Sequence, residues 1–589
     1  MNLWPIGNCE IAALVDPNAR IAWGCLPRFD GDPVFCSLLE PRQDHGYWDI
    51  VLENCAHTEQ HYIRNTPVLV TRMSCNAGNV IEVVDFMPRF PRHGRMFRPV
   101  AIARIVRVIS GSPRISVRLR PAYAWGEGSP RLTSGSNHIR YILGEQVQRL
   151  TSNAPLGWIR DERMFRAERD LYFYFGPDEG FDAQLEARME AMLDETVSTW
   201  QHWVRGLNLP LEWQEAVIRA AITLKLCQYE QTGAIVAALT TSLPEHADSG
   251  RNWDYRFCWI RDAYFTVQAL NRLGALDVLE SYLHYLRNIV DAARGGHIQP
   301  LYGIGGEATL TEHVMPALQG FAGMGPVRSG NQAYEQVQHD AYGQIVLSSV
   351  QAFFDQRLLR QATVQDFEAL EVVGHRAFAM FNEPDAGLWE LRTRAHVHTY
   401  SAAMCWAACD RLANAAGAIG RPKAAMFWGE RAEHIRTHID AHAWSHAGNH
   451  YSAVLGERTL DASLLQLLDL KFIRADDPRF ISTLDAIEGG LRRGSHMLRY
   501  ADEDDFGPPQ SAFNVCTFWL IEALHATGRY GDARSLFEEM LSRRTPAGLL
   551  SEDIDPSTGA LWGNYPQTYS LVGLIQCAGL LSRPWSDAR

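Results

Sequence analysis

The chain has 589 residues, a formal net charge of −13 and a pI near 5.9. Its length exceeds the roughly 250–300 residues at which one hydrophobic core usually stops growing, so we expect two domains or one large barrel. The acidic balance disfavours nucleic acid and anionic membranes as partners, because both select a basic patch. We therefore expect the partner to be neutral or small.

Export and membrane signals are absent from the sequence. Segment 1–23 has neither a basic region nor a long apolar run, and no uncharged run of about 18 apolar residues follows it. We therefore predict a cytoplasmic protein, and we leave open whether it forms a homo-oligomer. The 11 cysteines lack CxxC spacing, which favours reduced buried thiols over disulfides or a zinc site.

The first part of the chain has the pattern of β-strands and hairpins. Segments 67–90 and 100–123 alternate apolar and polar residues around turns rich in Asn, Gly, Ser and Pro. This pattern predicts an antiparallel β-sandwich, and we assign it to a domain spanning 1–185.

The rest of the chain has the pattern of α-helices, because apolar residues recur at i, i+3 and i+4 from residue 186 onward. We assign 186–209 to a helical linker and 210–589 to an all-α domain. The predicted helices of that domain cover 213–229, 261–274, 275–292, 341–360, 364–382, 399–416, 420–442, 461–471, 479–493, 512–527, 529–544 and 566–581.

Short and long connections alternate between these helices. Links such as 274–276 and 528–532 are far shorter than the links on either side of them. In an antiparallel arrangement, this alternation puts every long connection on one face. Twelve such helices fit an (α/α)6 barrel, whose inner helices meet in a pit roofed by the long connections, and we expect the functional site there.

Four of the long connections combine aromatic and charged residues. They contain the segments 249–262, 385–401, 498–510 and 548–570. Aromatic rings stack on the apolar faces of sugars while Arg and Asp bind hydroxyl groups, so this combination suits carbohydrate recognition. The same composition also fits an ordinary helix-start core with a solvated rim, and composition alone leaves both interpretations open.

Two glutamates are the best candidates for glycosidic bond cleavage, which needs one protonated and one ionised carboxyl group. Glu390 follows the apolar run "GLW" and Glu552 follows "GLLS", and each precedes a predicted inner helix. An apolar flank can raise the pKa of a general acid. Acidic residues near helix starts are also common as capping or dipole residues, so position alone does not decide their role.

Blocks along almost the whole chain resemble glycoside hydrolase family 15, the glucoamylase and trehalase family. They are "NWDYRFCWIRDAYF", "GLWELR", "LRYADEDDFG" and "GLLSEDIDPSTGALWGNYPQTYS", preceded by the opening "IGNCEIAALVDPNARIAWGCLPRFD". The resemblance implies a β-sandwich followed by an (α/α)6 barrel. It also implies an inverting, exo-acting hydrolysis of α-glucosides that needs no cofactor.

The resemblance assigns roles by position in these blocks. Glu390 of "WE" matches the family's general acid, and Glu552 of "SED" matches its general base. The residues implied to bind the sugar are Tyr255, Trp259, Arg261, Asp262, Trp389 and Arg499. Leu391 stands where many starch-cleaving members carry a second acid, and this departure makes trehalose more attractive than a long glucan.

Other functions stay open at this point. A phosphorylase on a similar scaffold would use phosphate and would not need Glu552, and a non-catalytic sugar-binding protein or a hydrolase for another sugar would keep the pit. The motif "HVH" at 396–398 has no third ligand nearby, so we expect no metal site. The run "DEDD" at 502–505 fits a solvated loop or a negative wall of the pit better than a calcium site.

Overall fold

The computed structural model describes residues 1–40, 44–181 and 184–588. In the first part of this described chain, the strands form two antiparallel sheets, one of seven strands and one of eight. The seven-stranded sheet contains Trp4–Gly7, Ala12–Val15, Ile21–Leu26, Asp32–Phe35, Tyr47–Leu52, Arg114–Arg120 and Phe165–Arg166. The eight-stranded sheet contains Cys55–Tyr62, Leu69–Cys75, Val80–Phe86, Ile102–Ser110, Arg131–Ser134, His138–Leu143, Gln146–Ser152 and Leu171–Pro177.

The two sheets pack through the apolar residues that alternate along their strands. Phe175 of the eight-stranded sheet lies at the centre, with its ring 6.0 Å from that of Phe35 and 5.9 Å from that of Trp48, both in the other sheet. All three side chains are buried. The apolar side chains of the two sheets therefore face a shared core, and the predicted β-sandwich is confirmed.

The second part of the described chain is helical. A long helix, Leu185–Arg205, comes first. The helices that follow are Gln214–Leu226, Ile260–Arg272, Leu276–Ala293, Asp340–Ser349, Val364–Met380, Thr399–Ala418, Pro422–His442, Gln466–Asp469, Pro478–Leu491, Asn514–Ala526, Tyr530–Ser542 and Thr568–Leu581. Each of these last 12 helices lies within one of the predicted helical segments or extends beyond its ends by only a few residues.

Two predicted helices are shorter than expected. The segment predicted at 341–360 ends its α-helix at Ser349 and continues only as a 3-10 turn, because Asp355 accepts hydrogen bonds from the Gln351 side chain and the Arg357 backbone and so supports a turn. The segment predicted at 461–471 begins as a 3-10 turn, where the Asp461 carboxylate accepts from the Ser463 backbone N–H.

Six helical segments form a closed inner ring. Going round the ring, they are Ile260–Arg272, Asp340–Ser349, Thr399–Ala418, the segment Ala462–Leu465 with Gln466–Asp469, Asn514–Ala526 and Thr568–Leu581, and the last packs against the first. The other helices of the domain pack outside this ring. The long connections 227–259, 294–339, 381–398, 443–461, 492–513 and 543–567 all precede inner segments, so they meet at one end, and the predicted barrel is confirmed.

Helix Leu185–Arg205 joins the two parts of the chain. Its first half packs Met189 and Met192 against a sheet of the sandwich, and its second half packs Trp200 and Val204 with the first barrel helix. The predicted boundaries at 185 and 209 stay predictions. In the described part of the chain, no helix is both long enough and apolar enough to cross a bilayer, and the cytoplasmic location also stays a prediction.

Candidate active site

The long connections enclose a cavity of about 890 Å³, including its open mouth, at one end of the inner ring. Five of the six connections and the starts of two inner helices contribute to its wall. All eight residues singled out from the sequence line this one cavity: Tyr255, Trp259, Arg261, Asp262, Trp389, Glu390, Arg499 and Glu552. Residues that are up to 297 positions apart in the chain therefore meet at one place.

Glu390 lies at a turn that holds its backbone in an unusual conformation. Its φ of +60° is in the left-handed region, which non-glycine residues rarely adopt. Gly387, three residues earlier in the same turn, has a φ of +67°. The Glu390 backbone N–H donates to the Gly387 carbonyl at 3.2 Å, and the Gln336 side chain donates to the Glu390 carbonyl at 3.2 Å. The turn aims the carboxyl group into the cavity.

Among the described residues, all hydrogen bonds to the Glu390 carboxyl group go to one of its two oxygens. Oε1 accepts from Trp259 Nε1 at 2.6 Å, from Arg261 Nη2 at 3.1 Å and from Gln338 Nε2 at 3.3 Å. The side chain is 25% exposed. Oε2 is thus the oxygen left to face a bound molecule.

Arg261 and Asp262 open the first inner helix beside Glu390. Arg261 is held by the Gln338 side chain at 2.8 Å and by Asp340 at 3.1 Å, so its guanidinium has a fixed position in the wall. Burial raises the pKa of Asp262 to about 7 against the opposing effect of Arg261, and the Glu390 charge adds to the rise. Asp262 therefore titrates near neutral pH at the floor of the cavity.

Glu552 lies in a bend just before the short strand Asp553–Ile554, and its environment differs from that of Glu390. It is 2% exposed. Its Oε1 accepts from the Tyr255 hydroxyl at 2.5 Å, while its Oε2 is buried without a hydrogen-bond partner in the described residues. Burial raises the pKa of Tyr255 well above its usual value, so this phenol remains a donor. The Tyr255 ring packs edge-on against Trp259, 5.4 Å between centroids.

Three carboxyl groups, Glu245, Glu552 and Asp553, form what we call the carboxyl cluster. Arg499 forms an ion pair with Glu245, whose other oxygen accepts from Trp253 Nε1 at 3.1 Å. Burial raises the pKa of Glu552 well above its usual value, and the charges of Asp553 and Glu245 raise it further. The pKa of Asp553 is raised for the same reasons, first by burial and then by Glu245.

Trp389 stands next to Glu390 in an aromatic wall. Its Nε1 donates to the buried Asp461 carboxylate at 2.9 Å, and its ring lies 6.1 Å from that of Tyr500 and 6.1 Å from that of Phe513. A flat ring held at both edges offers a rigid surface on which a sugar ring can stack.

Ion pairs tie the connections together at the rim. Arg251 binds Asp504 through both of its terminal nitrogens, at 2.5 and 2.6 Å. Arg392 pairs with Glu312 at 2.9 Å and lies over the Trp253 ring, 4.1 Å from its centroid. Two acids of the "DEDD" run line the cavity, which agrees with a negative wall of the pit.

The sequence patterns missed the residues that support the predicted ones. Glu245, Gln338, Asp340, Asp461 and Asp553 each hold or face a residue that lines the cavity. Only Asp553 carried a local signal, because it follows Glu552 directly in "SED". Glu245, Gln338 and Asp461 lie in connections whose sequences do not differ from ordinary polar loops, and Asp340 is the first residue of an inner helix, where an acidic residue is common.

Comparisons with known proteins agree with this architecture. Residues 213–579 match the family model described as Glycosyl hydrolases family 15, and residues 3–156 match that described as Trehalase-like, N-terminal. A trehalase from Thermoplasma volcanium is 30% identical over 97% of this chain and 92% of that protein. A trehalase from Mycobacterium tuberculosis is 29% identical over 99% of this chain and 89% of that protein.

The fold also matches that of a solved structure, a bacterial glucoamylase complexed with acarbose. The TM-score is 0.69 over 98% of this chain and 93% of that chain, at 13% identity. At this identity the match concerns the fold alone. The family model and the full-length relatives decide the family: the chain is a glycoside hydrolase and belongs to glycosyl hydrolases family 15.

Proposed function

We propose that this chain is an inverting, exo-acting α-glucosidase that hydrolyses trehalose, with Glu390 as general acid and Glu552 as general base. The observation that carries the proposal is that two carboxyl groups with different environments face one cavity. Glu390 keeps one oxygen free of wall contacts, while Glu552 is enclosed and receives a hydroxyl donor. Two carboxyl groups in different environments are what acid and base roles require.

The hydrogen bonds support a role for each oxygen of the general acid. In a protonated Glu390, Oε1 is the carbonyl oxygen, because it accepts from Trp259 and Arg261. Oε2 then carries the proton and donates it to the departing glycosidic oxygen. Glu552 removes a proton from water as that water attacks the anomeric carbon. The carbon–oxygen bond breaks with its electron pair going to the leaving oxygen.

The substrate-binding residues suit the first sugar. Asp262, when ionised, accepts hydroxyl donors, and Arg261 donates to hydroxyl oxygens from a fixed position. Trp389 and Tyr255 supply aromatic faces on the same wall. Together these groups would hold one glucose at the closed end of the cavity, which fits cleavage from a chain end rather than within a chain.

Trehalose is favoured over a long glucan by two observations. Relatives about 30% identical over nearly the whole chain are trehalases. Leu391, an apolar residue, lines the cavity next to the proposed acid, so a polar contact to a longer acceptor is missing there. Release of glucose from the ends of malto-oligosaccharides is the second candidate, supported by the fold match to a glucoamylase.

A substrate panel followed by proton NMR of the anomeric signals tests this proposal. Trehalose, maltose, maltotetraose, isomaltose and kojibiose are incubated with the protein, with and without phosphate. We expect trehalose to be cleaved fastest, giving α- and β-glucose in an early ratio near one to one, because only one of its two halves is inverted. Glucose 1-phosphate formed only with phosphate would instead identify a phosphorylase.

Two glutamine variants test the assigned roles. Glu390→Gln should nearly abolish trehalose cleavage but retain activity on an aryl α-glucoside, whose leaving group needs no proton. Glu552→Gln should lose activity on both substrates. Early release of α-glucose alone from maltotetraose, or equal losses for both variants on both substrates, would contradict these roles.

A further inference from the structure

The carboxyl cluster has more carboxyl groups than there are cations paired with them among the described residues. Glu245 has its own partner, because Arg499 binds it directly, and the nearby Arg251 is bound to Asp504. Glu552 and Asp553 have no cation of their own among the described residues, and each receives one hydroxyl donor, from Tyr255 and from Ser511. Two adjacent ionised carboxylates buried in this way would be strongly destabilising.

The free oxygens of these two carboxyl groups converge. Glu552 Oε2 and Asp553 Oδ2 are both buried and have no hydrogen-bond partner in the described part of the chain. A Cβ built on Gly563 would lie 2.8 Å from the first oxygen and 3.4 Å from the second. Both oxygens therefore face the same spot, where Gly563, with a φ of +78°, covers them closely.

We propose that Glu552 and Asp553 hold one proton between them, and that Asp553, as the protonated partner, positions Glu552 by donating to its Oε2. The two oxygens without partners would then satisfy each other. The inference rests on the proposed function, in which Glu552 is the general base. It adds Asp553 as a positioning residue, which does not touch the substrate.

This arrangement explains how the base stays ionised at an enclosed site. Asp553 is the better holder of the proton because, among the described residues, its side chain accepts only from the Ser511 hydroxyl, at 3.1 Å, whereas Glu552 accepts from the more acidic Tyr255 phenol at 2.5 Å. The charge of Arg499 acts on both carboxyl groups. Burial and the surrounding carboxylates raise the pKa of both groups, which favours keeping one proton on the pair. Glu552 Oε1 is then the oxygen that meets the attacking water.

The Asp553→Asn variant tests the position of the proton. The amide can donate to Glu552 Oε2 as the protonated acid does, but it cannot ionise. We expect the acid limb of the kcat profile, measured at saturating substrate so that the titration of Asp262 in the free enzyme does not set it, to move by less than about half a pH unit, and kcat to fall by less than about tenfold. If Asp553 were ionised in the wild type, removing its charge would shift that limb down by about one unit or more, and the inference would be wrong.

Asp553→Ala removes the donor and should lower kcat by about ten- to a hundredfold, since Oε2 is left without a partner. Asp555→Asn is the matched control, because Asp555 lies just after the same strand but its hydrogen bonds to Ser557 and Thr558 lower its pKa to about 2. We expect this variant to keep the wild-type profile and rate.

Difference infrared spectroscopy gives a readout that does not depend on activity. At neutral pH, the wild-type spectrum minus that of Asp553→Asn should contain the C=O band of a protonated carboxylic acid, and the Asp555→Asn difference should lack it. Absence of the band would overturn the inference even if the variants fold and turn over. A wild type that releases no glucose would refute the proposed function, while the infrared result would still decide where the proton is.

Discussion

At the scale of single residues, the site depends on donors that fix carboxyl oxygens. Trp259 and Arg261 both donate to one oxygen of Glu390, and Tyr255 donates to one oxygen of Glu552. Each contact selects which oxygen stays available for chemistry. The tertiary structure therefore places two glutamates that look alike in the sequence in different environments.

Trp259→Phe tests the contact to the proposed acid. The change removes the indole N–H at 2.6 Å from Glu390 and keeps an aromatic ring, so kcat should fall by about ten- to a hundredfold. Trp428→Phe is the control, because Trp428 also donates to a glutamate, Glu371, but on the outer helices. Equal kcat values for Trp259→Phe and the wild type would argue against a positioning role for the indole.

Asp262 gives a prediction for pH dependence. Burial raises its pKa to about 7, so it is mostly protonated below that pH and accepts sugar hydroxyls only above it. We expect kcat/KM to rise as the pH increases through 7. Asp262→Asn should lower kcat/KM about ten- to a hundredfold and should remove this rise from the pH profile. A pH profile of the variant that keeps the same inflection would contradict the assignment.

At the scale of elements, the long connections act as one rim because ion pairs join them. Arg251 in the connection 227–259 binds Asp504 in the connection 492–513, and the Arg251 guanidinium also donates to the Gly507 carbonyl at 2.8 Å. Both side chains of this ion pair are nearly buried. The hydrogen bonds are bidentate, so the pair fixes the relative position of the two connections.

Asp504→Ala should destabilise the rim, because it leaves the buried Arg251 charge without its carboxylate partner, at a cost of about 3–5 kcal/mol. Thermal unfolding should show a lower Tm, and KM for the substrate should rise because the cavity wall loosens. The double variant Arg251→Met with Asp504→Leu should recover most of the Tm, since no buried charge remains. A double variant less stable than Asp504→Ala would show that the charge itself is not the cause.

At the scale of the whole molecule, the inner ring has the cavity at one end and a half-buried glutamate toward the other. Glu522 lies near the C-terminal end of an inner helix, and burial raises its pKa to about 8, with Asp469 adding to the rise and Arg272 opposing it. Its folded-state pKa is therefore above its unfolded value. The stability that it contributes is complete below about pH 4.5 and is lost as the pH rises through 8.

Glu522→Gln tests this dependence over the whole fold. The variant cannot ionise, so the difference in Tm between Glu522→Gln and the wild type should become more favourable to the variant from pH 5 to pH 9. Thermal unfolding at pH 5, 7 and 9 in one buffer series measures it. A difference that is constant with pH would mean that Glu522 has the same pKa in the folded and unfolded states.

The sequence by itself determined the order and type of the elements. Apolar residues recur about every two positions in the first part of the chain and about every 3.6 positions in the second. These spacings specify the strands of the sandwich and the helices, because each element must bury one face. The alternation of short and long connections determined the barrel and the end at which the site lies. The blocks around Asp262, Glu390 and Glu552 were identified by their resemblance to glycoside hydrolase family 15, because their mixture of aromatic and charged residues also fits an ordinary helix start.

Only the tertiary structure decided how these blocks work together. Glu245 and Asp461 come from connections without a distinctive pattern and Asp340 from an ordinary helix start, and their roles arise from partners far away in the chain. The pKa of Asp262 depends on burial, which no local pattern specifies. The convergence of Glu552 Oε2 and Asp553 Oδ2 on Gly563 depends on the bend at Glu552 just before the strand Asp553–Ile554, because neighbours along a regular strand ordinarily point to opposite faces.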